Sequence, residues 1–282
     1  MERDNRKIVW IASYPKSGNT WFRLVLSHLL EKNDIPLNIN NIYSASIASS
    51  RVHFDNISGV SGSDLTSEEI DAIRPEIYRR MAVESEDLIF KKVHDAWTIN
   101  EAGKQIFPTD ITKAVVYMIR NPLDVAVSYA FHSGTNFANI IEDMSNSKHA
   151  LADKPGKLHN QLRQKLLNWS EHVISWIDSS GMPVKVIRYE DLIENPFKEF
   201  STAFNFIGMN YEAEDLIRAI KNSEFSKVSQ QEEKFGFKEK PLQMSLFFRK
   251  GEPGDWKNHL SVQLADEIRK KHSDIMKRFN YL

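Results

Sequence analysis

An apolar run, Ile8–Ala12, passes directly into Ser13-Tyr14-Pro15-Lys16-Ser17-Gly18-Asn19-Thr20-Trp21, and a helical pattern follows to about Lys32. The run is rich in β-branched and aromatic residues and reads as a short buried strand over Lys7–Ser13. A loop between a buried strand and a helix presents backbone N–H groups and the positive helix end to one place, where an anion is favoured. Gly18 lets the backbone approach that anion closely. Ser17, Asn19 and Thr20 add donors, Lys16 adds a full charge, and Trp21 offers a flat face for a base. The loop is not a Walker A sequence, because Lys16 precedes Gly18 instead of following a second glycine.

The remaining pattern alternates strands and helices. Leu88–Val93, Ala114–Ile119 and Val184–Arg188 read as further strands, the second apolar throughout as a central parallel strand should be. Thr66 and Glu69 form a capping box before a helix to about Arg80. Asn121 can cap the next helix, Pro122 suits its first turn, and Asp124 favours its positive end. Leu162, Leu166, Trp169, Val173 and Trp176 recur at helical spacing. Helices follow near Asn195–Ile207, Glu212–Lys221 and Ser261–Arg278. Ser44–Asp64, Gly134–Asn160 and Lys227–Lys240 lack a clear period and read as loop, the second as a flap. The expected fold is α/β, a central parallel sheet flanked by helices on both faces, with a P-loop-like anion loop. No repeat, linker or second domain is visible, so residues 1–282 are read as one domain.

Composition narrows the partners. Lys plus Arg is 37 and Asp plus Glu is 38, a net charge of -1. Such balance gives no support for nucleic acid or an acidic membrane, so any basic site must be local. With no cysteine, disulfides, thiol catalysis and cysteine-ligated zinc are excluded, and a reducing cytoplasm fits. Ile8–Ala12 is too short for a signal peptide or membrane span.

Three segments resemble one family. Tyr14–Trp21 resembles the 5′-phosphosulfate loop of the cytosolic-type sulfotransferases. Arg120-Asn121-Pro122-Leu123-Asp124-Val125-Ala126-Val127-Ser128-Tyr129 resembles their 3′-phosphate segment, and Arg249-Lys250-Gly251-Glu252-Pro253-Gly254-Asp255-Trp256-Lys257-Asn258 their C-terminal signature. The donor this implies is 3′-phosphoadenosine 5′-phosphosulfate (PAPS), with 3′,5′-adenosine bisphosphate (PAP) as product. The resemblance implies donor contacts from Lys16, Ser17, Gly18, Asn19, Thr20 and Trp21 at the loop. Arg120, Ser128, Arg249, Lys250 and Gly251 would hold the 3′-phosphate. Tyr189, Ser223, Phe225 and Phe247 would complete the nucleotide contacts. The family more often has threonine and serine where Asn222-Ser223-Glu224-Phe225 stands. The guanidinium of Arg120 suits a phosphate, and Ser128 lies two turns beyond Asn121 on one helix face.

Lys92-Val93-His94 ends a strand, so Lys92 and His94 share one face. A histidine at the end of a parallel strand can take a proton near neutral pH. The segment resembles the family's lysine–x–histidine, which makes His94 the general base and Lys92 a support for the transferring group. Lys16 would stabilise charge on the bridging oxygen, and Ser128 would hold Lys16 away until the acceptor arrives. No histidine spacing suits a metal, and none is expected. A nucleotide kinase and a non-catalytic adenosine-bisphosphate binder remain as alternatives.

The acceptor is read as a small molecule, with a natural-product hydroxyl first, because Trp10–Lys16 looks closer to bacterial members. Its walls are expected from Ser44–Asp64, Trp97–Phe107, Gly134–Asn160 and Lys227–Leu246. Lys257, Ser261-Val262 and Asp266 resemble the animal enzymes' dimer element, leaving homodimer and monomer both open.

Overall fold

The computed structural model describes residues 6–31, 37–42, 44–154, 156–241 and 244–282. The expected end of the first helix at Lys32 lies outside them, as do positions 155, 242 and 243 of the expected acceptor walls. Strand β1 (Ile8–Ser13) leads to helix α1 (Asn19–Glu31). Then come β2 (Ala45–Ile47), α2 (Arg51–Ser58), α3 (Ser67–Glu84), β3 (Ile89–Val93), β4 (Thr112–Ile119), α4 (Pro122–Ser133) and α5 (Phe137–Ser145). The short strands β5 (Ala150–Leu151) and β6 (Gln164–Lys165) precede α6 (Trp169–Ile174) and β7 (Val184–Arg188). The chain continues through α7 (Tyr189–Glu194), α8 (Pro196–Ile207), α9 (Ala213–Asn222), α10 (Phe225–Phe235) and α11 (Val262–Arg278).

Among the described residues, a five-stranded sheet runs in the order β2-β3-β1-β4-β7. Strands β1 and β3 pair in parallel, with Trp10 opposite Lys91 and Ala12 opposite Val93. The expected α/β architecture, a parallel sheet flanked by helices, is the one the chain forms. Every residue of β1 is buried, which explains its unbroken apolar run: a strand covered on both faces has no polar side to show.

Contacts divide the chain into two compact units. The first comprises Met1–Tyr14, Ser46–Tyr117 and Asn146–Val186. Its core centres on Trp10, whose ring meets Tyr78 and Phe107 edge-on at 5.1 and 5.0 Å and whose Nε1 donates to Thr112 Oγ1 at 2.8 Å. The second comprises Pro15–Ala45, Met118–Ser145 and Ile187–Leu282. There the rings of Phe22, Phe200 and Phe204 meet at 5.4 to 5.9 Å and fix α1 against α8.

Several caps read from the sequence form. Both bonds of the Thr66–Glu69 capping box are made, and Asn121 Oδ1 accepts from Leu123 N at 3.0 Å. Three loop readings are corrected. The 44–64 stretch contains β2 and α2, the latter capped by Ser50. The 134–160 stretch contains α5, which buries Ile140, Ile141 and Met144. The 227–240 stretch largely belongs to α10. The helical stripe is corrected too. Helix α6 starts only at Trp169, behind the Asn168–Glu171 capping box. Leu162 and Leu166 lie before it, held by backbone bonds from their N–H groups to Ser49 O and His149 O.

Candidate functional site

In the second unit the anion loop is held by unusual backbone geometry. Lys16 has φ 69 and Gly18 φ 100. A lysine rarely adopts that conformation, so its surroundings must fix it. The Lys16 carbonyl accepts Arg120 Nη1 at 3.2 Å. The Gly18 carbonyl accepts Trp21 N at 3.0 Å and Phe22 N at 3.3 Å, closing the first turn of α1. Asn19 is buried and Thr20 half-buried at the helix start. The Trp21 ring stands edge-on to Phe200 at 5.6 Å.

Arg120 ties this loop to the 249–258 segment. Its Nη2 donates to Glu252 O at 3.1 Å, and its guanidinium lies 4.3 Å over the Tyr189 ring. Tyr189 Oη donates to Gly251 O at 2.7 Å; burial pushes its phenol pKa up, so it remains a donor. Phe225 packs on Gly251 so closely that any Cβ there would overlap its ring. Phe247 lies beneath Lys16, with Nζ 4.0 Å from its centroid. Thus Lys16, Gly18, Arg120, Tyr189, Gly251, Phe225 and Phe247 form one connected group.

Ser17 Oγ, Trp21 Nε1, Arg120 Nε and Ser223 Oγ are buried without a hydrogen-bond partner among the described atoms. Buried polar atoms are ordinarily satisfied, so such a set suits a polyanionic ligand with many acceptor oxygens.

Arg249 and Lys250 converge on Asp255, with Lys250 Nζ 2.6 Å from Oδ1, Arg249 bonded to Oδ2, and His259 Nε2 3.2 Å from Oδ2. Burial opposes its charge, yet hydrogen bonds from Lys250 and Arg249 hold the Asp255 carboxyl well below the usual range. Asp124 shapes the same segment by accepting Gly254 N at 2.7 Å and Trp256 N at 3.0 Å. Ser128 is half-buried on α4, one turn before His132.

His94 belongs to the first unit. Its Nδ1 lies 2.9 Å from Ser13 O and 3.4 Å from Ser13 Oγ. A carbonyl only accepts, so Nδ1 carries the proton and the neutral ring keeps its lone pair on Nε2. The backbone around His94 is fixed from α6 and the turn after it. His172 Nε2 donates to His94 O at 3.0 Å, and Trp176 Nε1 donates to Asp95 O at 2.9 Å. His172 Nδ1 in turn accepts from Tyr117 Oη at 2.8 Å. Burial holds the His172 pKa down at about 4, so that ring stays neutral. Lys92 sits half-buried opposite Ile11, while Lys91 and Val93 are buried on the other face of β3.

Sequence reasoning missed His132, His172 and Glu232, and read Asp255 only as part of the 249–258 signature. Only His132 carried a readable signal, since it stands four residues after Ser128 and shares its helix face. Among the described residues, no group of three or more His, Asp or Glu could hold a metal ion. No described helix is long and apolar enough to cross a membrane.

An α/β sheet opening into a glycine-bearing anion loop, with a second arginine-anchored segment closing on it, defines a nucleotide-phosphate-binding protein. The sulfotransferase domain family matches residues 6–280, and the chain belongs to that family. It is similar to rat Sulfotransferase 2A2, 30% identical over 175 residues, which cover 58% of this chain and 57% of that protein. Mouse Sulfotransferase 1B1 is 28% identical over 272 residues, covering 92% of this chain and 79% of that one. The crystal structure of retinol dehydratase in complex with retinol and PAP shares the fold, with a TM-score of 0.62 at 20% identity, over 96% of this chain and 82% of that one.

Proposed function

We propose that residues 1–282 form one sulfotransferase domain that moves a sulfuryl group from PAPS to a hydroxyl or amine of a small acceptor. The observation that carries this reading is the Lys16–Arg120–Tyr189–Gly251 connection with its buried, unpartnered donors at Ser17 and Arg120. These residues fit a phosphate-bearing adenosine. Gly18 admits the backbone close to an anion, Arg120 and Lys16 supply charge, and Tyr189 and Trp21 supply ring faces. PAPS supplies an activated sulfuryl group on a good leaving phosphate.

The chain's own residues do the rest. His94 Nε2 takes the acceptor proton while Nδ1–H stays anchored on Ser13 O. Lys16 stabilises negative charge growing on the departing oxygen, an interaction stronger in the transition state than before it. Ser128 and Lys92 assist Lys16 and the transferring group. Asn19, Thr20, Arg249, Lys250, Gly251, Ser223, Phe225 and Phe247 complete the donor grip. Retinol in the similar dehydratase structure supports an alcohol over an amine, and a natural-product alcohol is our choice.

A transfer assay with labelled PAPS over a panel of phenols and alcohols tests the reading. His94→Ala should lower turnover about 10²- to 10⁴-fold with PAP affinity kept. Wild-type protein that neither binds PAP nor labels any acceptor would overturn it.

A cytoplasmic location and a homodimer go with this reading. Val262, in the segment that resembles the animal dimer element, is 77% exposed. Sedimentation of Val262→Glu against wild type checks the dimer.

A further inference from the structure

Lys16 Nζ, the charge placed on the departing oxygen above, makes two contacts in the second unit that the sequence does not announce. It lies 3.4 Å from His132 Nδ1 and 4.0 Å from the Phe247 centroid. An ammonium can only donate, so Nδ1 must present its lone pair and the ring proton must sit on Nε2.

The described groups against that ammonium are held. The Lys16 backbone sits at φ 69 with its carbonyl on Arg120 Nη1. The His132 ring stands edge-on to Phe247 at 6.0 Å and 78°. Phe247 is fixed by its N–H on Glu232 Oε1 at 2.7 Å and by the Phe237 ring at 4.7 Å. The Lys16 side chain is a flexible four-carbon stem, so its ammonium can swing while its backbone stays fixed. Its bond to His132 is long and made to a neutral acceptor, so an anionic oxygen, which forms shorter and stronger bonds, can draw it away.

We propose that His132 is a positioning residue for Lys16, holding the ammonium against Phe247 and keeping it from the donor's bridging oxygen until an acceptor is bound. The proposal rests on the sulfotransferase reading. It adds a group from the last turn of α4 to the role the family resemblance gives Ser128, one turn earlier. Its consequence is specificity against water. In wasteful hydrolysis a water oxygen bonds to sulfur and the bridging S–O bond breaks. The electron pair leaves with the phosphate oxygen of PAP, and the water proton passes to solvent. A permanently engaged Lys16 would promote that breakdown as readily as productive transfer.

The test follows acceptor-free breakdown of PAPS, read as sulfate and PAP by ion chromatography, beside PAP affinity by calorimetry. His132→Ala should raise breakdown about three- to tenfold with PAP affinity within about twofold of wild type, the scale of the net contribution of one long hydrogen bond. His132→Gln, which keeps an acceptor in reach, should return breakdown toward wild type. In a Lys16→Met background, His132→Ala should add nothing. Unchanged breakdown in a folded, PAP-binding His132→Ala protein overturns the proposal. So does an equal rise in the Lys16→Met background, or a rise matched by lost PAP affinity in all variants. Failure of the wild type to bind PAP sinks the sulfotransferase reading instead.

Discussion

Tyr189 lies across Gly18 so closely that a Cβ on Gly18 would sit 2.7 Å from Tyr189 Cδ2. The glycine is also at φ +100, where an L side chain costs roughly 1–2 kcal/mol. Gly18→Ala must therefore strain the loop and push Tyr189, which bonds Gly251 O and underlies Arg120. Because about 1.4 kcal/mol is tenfold in affinity, PAP binding should weaken about tenfold or more. Calorimetry checks it, with a circular-dichroism melt to show the variant is folded. Affinity within twofold of wild type would remove the close-approach argument.

Glu232 is 3% exposed, and its two oxygens accept Phe247 N at 2.7 Å and Phe248 N at 2.8 Å. Helix α10 thereby sets the strip that carries Phe247, Arg249 and Lys250. Glu232→Gln turns one acceptor into a donor facing an N–H, leaving a buried group unsatisfied. The expected loss is about 1–3 kcal/mol in urea unfolding, with weaker PAP binding. A variant as stable as wild type would show that the carboxylate does not organise this strip.

The same glutamate shows why part of the molecule was hidden in the sequence. Strands β1, β3, β4 and β7 and the caps at Thr66 and Asn121 were legible because each depends on neighbours in sequence, whereas the short strands β2, β5 and β6 were not. Helix α10 was not, since its buried face mixes Val228 with Glu232 and so breaks the apolar period. Helix α5 was masked by a polar frame around Ile140, Ile141 and Met144. Leu162 and Leu166 matched a helical spacing, but tertiary backbone bonds hold them outside the helix. The motif residues Lys16, Arg120 and Gly251 could be read at once. Glu232, which bonds Phe247 N and Phe248 N, and His172, which bonds His94 O, could not, because each acts through a fold contact that no local pattern encodes.

His172 gives the fold a defined response to acid. In the folded state burial lowers its pKa from 6.5 to about 4. Between those values the unfolded chain holds more protons than the folded one, so stability falls as pH falls. The loss attributable to this one ring should be on the order of 3 kcal/mol by pH 4. His28 and His272, also lowered to about 4 by burial, steepen the wild-type profile. Urea midpoints of wild type and His172→Gln from pH 7 to pH 4 isolate the term: the gap between the two curves should shift in favour of the variant as pH drops. Parallel curves would mean that His172 takes up its proton without cost.

Arg120 should separate two nucleotides. It donates to Lys16 O and Glu252 O, stacks on Tyr189, and keeps a buried Nε without a partner. Lysine in its place keeps the charge but loses the planar fork and the stacking. If Arg120 grips the 3′-phosphate, Arg120→Lys should weaken PAP about 10-fold or more, a loss of roughly 1.4 kcal/mol. Adenosine 5′-phosphate, which lacks that group, should suffer only the smaller loss from a loosened loop. Competition calorimetry with both nucleotides measures the difference. Equal losses would assign Arg120 to scaffolding the two segments alone, and the 3′-phosphate would then have to rest on Arg249 and Lys250 once Asp255 releases them.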